Sequence, residues 1–210
     1  LLDAGFHIIT PNKKANSASY DYYKSLIETS RRTGSKYYYE TTVGAGLPII
    51  TTLKDLRETG DDILKVEGMV SGTLAWLFSQ YDGRTPFSAL VLKAKEMGFT
   101  EPDPRDDLSG MDVARKTVIL AREMGYETEV EDIQIRSLVP DYLKDASKEE
   151  FLSRLSDMDE EMLKLYSDAK KEARNIRYVG KVGKDGICSV GLELYDEDHP
   201  FSQADGTDNV

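Results

Sequence analysis

Strand-like and helix-like segments alternate along this chain, and the alternation limits the folds it can adopt. Residues 7–10, 36–42 and 63–70 are apolar, aromatic or β-branched, and each is followed by a segment with helical periodicity. Further on, residues 176–182 and 187–195 flank the turn at 183–186, which predicts a β-hairpin. The order β-α-β-α-β-α-α-α-β-α-α-β-β predicts an α+β fold with a mixed β-sheet covered by helices.

Serine and glycine residues set some of the predicted boundaries. Ser17 or Ser19 is expected to cap a helix that ends at Gly34, and Ser147 is expected to cap another. Residues 133–138 are expected to form a strand. The tail from residue 196 is polar, so we expect no closing element there. Both ends of the sequence lack the features of a natural terminus, which predicts a piece of a longer chain.

Composition excludes several classes of function. The chain has 210 residues with 40% hydrophobic and 31% charged side chains, which is typical of a soluble globular protein. Its net charge of −11 argues against nucleic acid as a partner, because that affinity depends on basic side chains. No apolar run approaches the ~20 residues of a membrane span. Cys188 is the only cysteine, which favours a reducing cytoplasmic location and, with two histidines, argues against a zinc site.

An acidic loop and the helix predicted after it are the strongest indication of chemistry. Within the stretch 94–116, residues 101–116 contain five carboxylates and one amine: Glu101, Asp103, Asp106, Asp107, Asp112 and Lys116. Asp112 and Lys116 are four residues apart, so on a helix they share one face. Such a set can bind a zwitterionic substrate and move a proton. Spacing alone also allows an ordinary helix ion pair, and Asp107 or Ser109 can simply cap the helix.

Two other functions are compatible with these residues. The carboxylates could gather Mg²⁺ in a metal-dependent enzyme, although Lys116 would add a cation to the same cluster. The chain could instead be a non-catalytic dimerisation module.

Three motifs, in the same order, resemble homoserine dehydrogenase. They are Thr-Pro-Asn-Lys-Lys-Ala at 10–15, Glu-x-x-Val-Gly-Ala-Gly-Leu-Pro at 40–48, and Gly-Phe-Thr-Glu-Pro-Asp-Pro-x-x-Asp-Leu-x-Gly-x-Asp-x-x-x-Lys at 98–116. The first and third are most similar to the dehydrogenase half of bifunctional aspartokinase/homoserine dehydrogenases. The resemblance implies NAD(P)-dependent interconversion of L-homoserine and L-aspartate 4-semialdehyde, in threonine and methionine biosynthesis. It also implies a homodimer with a small-molecule substrate.

The resemblance implies a division of the chain as well. Residues 1–42 would be the C-terminal remnant of a nucleotide-binding Rossmann domain, and residues 43–210 a truncated catalytic and dimerisation domain. Gly44-Ala45-Gly46 does not replace the phosphate-binding loop of such a domain, because Ile49 stands where a third glycine is needed. We therefore expect the isolated 210 residues to be inactive.

The roles of individual residues follow from their positions in the motifs. Lys116 resembles the family's proton-transfer residue, with Asp112 beside it as the second catalytic residue. Substrate contacts are expected from Glu101 and Asp107, whereas Asp103 and Asp106 are assigned to structure. Thr73 is outside the motifs, but at a predicted helix start it could offer its hydroxyl and N–H to a substrate carboxylate, for which a simple helix N-terminus is the alternative.

Cofactor and metal contacts are also implied. Lys13 and Gly98 are expected beside NADP or NAD, although Gly98 can equally be a helix C-cap. A Na⁺ site is expected from the Glu40 carboxylate with the backbone carbonyls of Val43, Ala45 and Leu47, for which a tight glycine turn without an ion is the alternative.

Overall fold

A computed structural model describes residues 1–207 of the chain. The strands are β1 (Ile8–Ile9), β2 (Tyr37–Tyr38), β3 (Lys65–Gly68), β4 (Gln134–Ile135), β5 (Arg174–Gly183) and β6 (Cys188–Asp196). The helices are α1 (Tyr20–Thr33), α2 (Ile49–Glu58), α3 (Gly72–Gln80), α4 (Phe87–Glu96), α5 (Arg105–Leu108), α6 (Met111–Glu123), α7 (Lys148–Ser153), α8 (Asp159–Lys171) and α9 (Pro200–Gln203). Their order matches the predicted order, with the short helices α5 and α9 added. None of the helices within residues 1–207 has the length and apolar character to cross a bilayer.

The strands form two sheets. β1 and β2 are parallel, with Ile8 opposite Tyr37 and Ile9 opposite Tyr38. The other four strands are hydrogen-bonded in the order β3-β5-β6-β4. β5 and β6 are neighbours joined by a short turn, so they form the predicted antiparallel hairpin. Parallel and antiparallel pairs packed with helices confirm the predicted α+β class.

The chain divides into two compact units, each assembled from three stretches of sequence. The first unit contains residues 1–67, 113–134 and 180–189, and its core includes Tyr39, Val43 and Ile50. The second unit contains residues 68–112, 135–179 and those from 190 onward, with Phe87 and Phe151 fully buried. The boundary expected between residues 42 and 43 stays a prediction.

Local hydrogen bonds explain where helices begin and end. The Ser19 hydroxyl accepts a hydrogen bond from the Tyr22 N–H at the start of α1, and Gly34 ends that helix with φ of 71°. At α7 the Ser147 hydroxyl accepts from the Glu150 N–H at 3.1 Å. These contacts confirm the predicted caps, with Ser19 rather than Ser17 at the first.

Three local predictions were wrong. The strand expected at 36–42 contains only β2, because the chain then turns into a 3-10 helix at Glu40–Thr42. The strand expected at 133–138 contains only β4. The tail is not without structure, because Phe201 in α9 is buried and its carbonyl accepts a hydrogen bond from Arg177 at 2.8 Å.

Candidate active site

The acidic loop begins with an ion pair that has a structural role. The Arg105 guanidinium contacts the Asp103 carboxylate at 2.6 Å and donates a second hydrogen bond to the carbonyl of Ala146 at 2.5 Å. The Arg105 side chain holds the pKa of the Asp103 carboxyl below its ordinary value. Asp103 therefore fixes the turn, in agreement with its assignment to structure.

Asp107 has a different environment. One of its carboxylate oxygens accepts a hydrogen bond from the Thr73 hydroxyl at 2.9 Å, and the other accepts from the Glu101 N–H at 2.8 Å. Burial raises the pKa of Asp107, and the nearby acids Glu101 and Asp106 add to this effect. The structure thus brings together the three residues that were expected to bind substrate, and all three belong to the second unit.

Asp107 does not cap helix α6. It lies inside α5, and its carboxylate is directed to Thr73 and to the backbone of Glu101. The reason is local: the chain already turns into a short helix at Arg105, and Gly110, with φ of 75°, separates α5 from α6. The expectation that Asp107 could cap the following helix was therefore wrong.

The Thr73 hydroxyl connects the start of α3 to the loop. Besides Asp107, its oxygen lies 2.5 Å from the carbonyl oxygen of Phe99. Ser71 caps α3 by accepting a hydrogen bond from the Leu74 N–H at 3.3 Å, which sets Thr73 in the first turn. Residues 99–101 and 107 are therefore held against one helix N-terminus.

Gly98 has the geometry of a helix C-cap. It follows α4 with φ of 74°, and the Phe99 N–H donates to the Ala94 carbonyl at 2.9 Å while the Gly98 N–H donates to the Lys95 carbonyl at 3.1 Å. This pair of bonds is the Schellman motif, which explains the glycine without a ligand. Contact between Gly98 and a cofactor stays a prediction.

Helix α6 carries the two predicted catalytic residues. Asp112 and Lys116 lie one turn apart and are both partly buried, whereas Arg115 is exposed. Next to Lys116, the Thr117 side chain approaches β5 so closely that a Cβ at Gly180 would lie 2.3 Å from its Oγ1. Glycine at 180 is therefore required for the close packing that fixes this part of α6.

Lys13 lies in the loop between β1 and α1 and is partly buried. Its carbonyl accepts hydrogen bonds from the N–H of Ser17 at 2.9 Å and from the Ser17 hydroxyl at 3.0 Å. Ser17 therefore fixes the backbone of this loop at Lys13, and contact between Lys13 and a cofactor stays a prediction.

The residues predicted to hold Na⁺ offer oxygen atoms of the kind that such an ion binds, and the ion itself stays a prediction. The Glu40 carboxylate accepts hydrogen bonds from the N–H groups of Ile50 and Thr51, at 2.8 and 3.0 Å, and from the Thr51 hydroxyl at 2.5 Å. A carboxylate has about four acceptor positions, so one remains for a cation. In the turn that follows, Gly44 has φ of 74° and Ala45 has φ of 51°, an uncommon conformation for alanine.

The remaining two carbonyls were expected from Val43 and Leu47. Val43 is fully buried, and the Leu47 carbonyl accepts a hydrogen bond from the Ile49 N–H at 2.9 Å. A carbonyl oxygen has a second lone pair, so this bond leaves room for a cation.

The carboxylates of the acidic loop do not form a metal cage. Within residues 1–207, no three or more His, Cys, Asp or Glu side chains are grouped so as to hold a metal ion. The Mg²⁺ alternative therefore has no geometric basis in this part of the chain.

Two residues at the end of α6 were missed in the sequence. Arg122 and Glu123 are almost fully buried, with exposures of 2% and 0%. The only local sign of a role concerns Glu123. It follows Lys116 by seven residues and so lies on the same face of the helix. The candidate site thus combines carboxylates, a hydroxyl and an amine carried on a helix.

Two family models match the chain. Residues 48–210 match the homoserine dehydrogenase model, and residues 1–40 match the model of the homoserine dehydrogenase NAD-binding domain. The chain belongs to the homoserine dehydrogenase family. The fold is accordingly of the homoserine dehydrogenase type, and its first residues correspond to the end of an NAD-binding domain.

Known proteins agree with this assignment. An Arabidopsis thaliana bifunctional aspartokinase/homoserine dehydrogenase is 51% identical over the whole chain, which covers 23% of that relative. A Candida auris protein of unknown function has a crystal structure that is 44% identical, with a TM-score of 0.93 over 99% of this chain and 60% of that one. A Thiobacillus denitrificans homoserine dehydrogenase, at 22% identity, shares the fold with a TM-score of 0.76 over 99% of this chain and 44% of its own. The chain thus spans about a quarter of the length of the curated bifunctional relatives it matches.

Proposed function

We propose that the chain is the catalytic part of a homoserine dehydrogenase, which interconverts L-homoserine and L-aspartate 4-semialdehyde with NAD(P). The observation that carries the proposal is the meeting of Glu101, Asp107 and Thr73 at the start of α3. All three come from segments that lie within the homoserine dehydrogenase match. They supply the negative charge and the hydroxyl that an amino-acid substrate requires.

The reaction separates a hydride from a proton. A nicotinamide held beside Lys13 and Gly98 would supply the acceptor or donor of the hydride at the carbon that carries the substrate hydroxyl. Lys116 takes or returns the hydroxyl proton, and Asp112, one turn away on α6, holds the hydroxyl and the lysine in register. The Glu101 side chain is exposed, so its carboxylate is available to the substrate ammonium.

Asp107 supports Glu101 and adds charge. Its hydrogen bond to the Glu101 N–H fixes the backbone of that residue. A second carboxylate close by increases the attraction for the substrate ammonium, and the bond to Thr73 keeps it in place.

Cofactor and cation contacts complete the proposal. Lys13 and Gly98 would lie beside NADP or NAD, most of which is held by residues outside this segment. Glu40, Val43, Ala45 and Leu47 would hold Na⁺, which would rigidify the turn before α2.

The proposed setting follows from the family. The reaction belongs to threonine and methionine biosynthesis, and the high identity to bifunctional relatives favours an aspartokinase in the same chain. We place the protein in the cytoplasm, where the buried thiol of Cys188 remains reduced.

A homodimer is supported by partly exposed leucines, Leu165 and Leu194, on a groove of about 480 Å³ in the second unit. Light scattering of the full-length protein tests this.

Replacement of Lys116 tests the proposed activity. In the full-length protein, Lys116→Ala should lower homoserine-dependent NAD(P) reduction by about 10²–10⁴-fold, the usual contribution of a general acid or base. Arg115→Ala, an exposed position on the same helix, is the matched control and should retain the parental rate. A Lys116→Ala protein with near-parental turnover would remove lysine from the mechanism. The isolated 210 residues should show no turnover.

A further inference from the structure

Helix α6 ends in two consecutive ionisable residues that are buried although the proposed mechanism does not use them. Arg122 and Glu123 are 2% and 0% exposed. Burying a charge is unfavourable, and apolar side chains of similar size are often as stable at such positions. Both side chains contact residues 16–39, which lie in the segment that matches the NAD-binding model.

Glu123 binds two tyrosines that come from separate elements. Its Oε1 accepts hydrogen bonds from the Tyr39 hydroxyl at 2.6 Å and from the Tyr23 hydroxyl at 3.1 Å. Tyr23 lies in α1, and Tyr39 directly follows β2. The Lys54 ammonium lies 3.9 Å from Oε2 and 4.2 Å from the centre of the Tyr39 ring. One carboxylate therefore connects α6 to α1, α2 and the end of β2.

Arg122 connects the helix to the loop before α1. Its guanidinium donates to the carbonyls of Asn16 and Ala18, at 2.7 and 2.8 Å, and to that of Thr128 at 3.0 Å. It also contacts Glu129 at 3.0 Å, whose other carboxylate oxygen accepts from the Tyr20 N–H at 2.7 Å. The planar fork of an arginine makes these contacts in one orientation only.

The backbone at this end of α6 is held as well. The Arg57 guanidinium donates to the Glu123 carbonyl at 2.8 Å, which places a cation at the negative end of the helix dipole. Rotation or sliding of α6 against residues 16–39 would break the bonds of Glu123 to Tyr23 and Tyr39 and those of Arg122 to Asn16 and Ala18 together.

We propose that Arg122 and Glu123 are positioning residues that set Lys116 relative to the part of the chain that belongs to the NAD-binding domain. Glu123 lies seven residues after Lys116, two turns or about 10.5 Å along the same face of a rigid helix. A fixed C-terminal end therefore fixes the direction and depth of the lysine. Displacement of about 1 Å can lower a rate about 100-fold, because hydride and proton must move in one geometry.

This inference depends on the proposed function, and Glu123→Gln in the full-length protein tests it. The amide still accepts from one tyrosine but lacks the charge that attracts the Tyr39 and Tyr23 hydroxyls and Lys54. We expect kcat to fall about 10–100-fold with the KM for homoserine within about twofold. The primary isotope effect with homoserine deuterated at the hydroxyl-bearing carbon should rise, since hydride transfer becomes slower than product release. Glu131→Gln, an exposed glutamate in the same unit, is the control and should change neither.

A purely stabilising role gives a different result. If Glu123→Gln lowers Tm but leaves kcat and the isotope effect at parental values, the inference is wrong. If Glu123→Gln does not fold, Tyr39→Phe decides by the same two measurements, because it removes only one hydroxyl. Absence of homoserine oxidation in the parent protein, by contrast, would overturn the proposed function itself.

Discussion

Asp103 and Asp107 are four residues apart in the same loop, yet the protein treats them in opposite ways. Asp103 is paired with Arg105, and its pKa lies below the ordinary value. Asp107 has a hydroxyl and an N–H as hydrogen-bond donors, and burial raises its pKa. An internal arginine satisfies the charge of the first carboxylate, whereas much of the charge of the second is left for another cation.

Asp103 and Asp107 look equivalent in the sequence, but their environments favour a structural role for the first and a functional role for the second. A carboxylate with its own guanidinium is saturated, so it stabilises a turn. A partly buried carboxylate without such a partner is costly to keep ionised, and residues of that kind cluster at functional sites. Three experiments test whether the presence or absence of a paired guanidinium decides the roles of Asp103 and Asp107.

Asp107→Asn should have the largest effect. In the full-length protein we expect kcat/KM for homoserine to fall about 10–100-fold, because a hydrogen bond to a charged group contributes roughly 1.5–3 kcal/mol. Asparagine retains the shape and can still accept from the Glu101 N–H, so the fold should persist. Steady-state kinetics at saturating cofactor measure the effect. An unchanged kcat/KM would make Asp107 as structural as Asp103.

The second prediction concerns stability and pH. Because the folded protein holds the Asp107 proton more tightly than the unfolded chain does, rising pH removes it from the unfolded chain first. The stability that Asp107 contributes is therefore present at low pH and is lost as pH rises through its raised pKa. The side-chain amide of the Asp107→Asn variant does not titrate. The free energy of unfolding of the parent should fall relative to that variant between about pH 4 and neutrality, measured by urea denaturation. If the difference in free energy of unfolding between the parent and the Asp107→Asn variant does not change with pH, the pKa of Asp107 is not raised.

Asp103→Asn should have the smallest effect on activity. It weakens the ion pair with Arg105, so the turn loses stability and Tm falls slightly, most clearly at low salt. Activity of the full-length protein should stay within about twofold of the parent. A large loss of activity with unchanged Tm would show that the acidic loop acts as one unit, and the contrast with Asp107 would disappear.

Much of the architecture could be predicted because its signals are local. Glycine at 34 and 98, serine at 19 and 147, and the hairpin turn act through their nearest neighbours, so pattern and capping rules identify them. Prediction failed for the tail, since α9 depends on burial of Phe201 and on Arg177, 24 residues earlier.

The candidate site shows the same limit. A motif identified Asp107, and a predicted helix start identified Thr73, but their 2.9 Å contact joins residues 34 positions apart. Arg122 and Glu123 gave no signal beyond their helical position, because their partners at 16–39 lie 84–106 residues earlier. Roles that arise from such long-range contacts need a structure.

The tyrosines that bind Glu123 also provide an optical signal. The chain has 12 tyrosines. Burial raises the pKa of Tyr37 to about 12, and it raises the pKa of Tyr23, Tyr39 and Tyr178 still further above the ordinary value. Ionised tyrosine absorbs at longer wavelength than the neutral form, so an alkaline titration should proceed in two stages. A tyrosine in a model peptide ionises near pH 10, and a ring with a raised pKa ionises after that. Tyr23, Tyr37 and Tyr39 lie in the first unit. The folded protein favours their neutral form, so the stability that they contribute is lost as pH rises through their raised pKa, and their late absorbance step should report the unfolding of that unit.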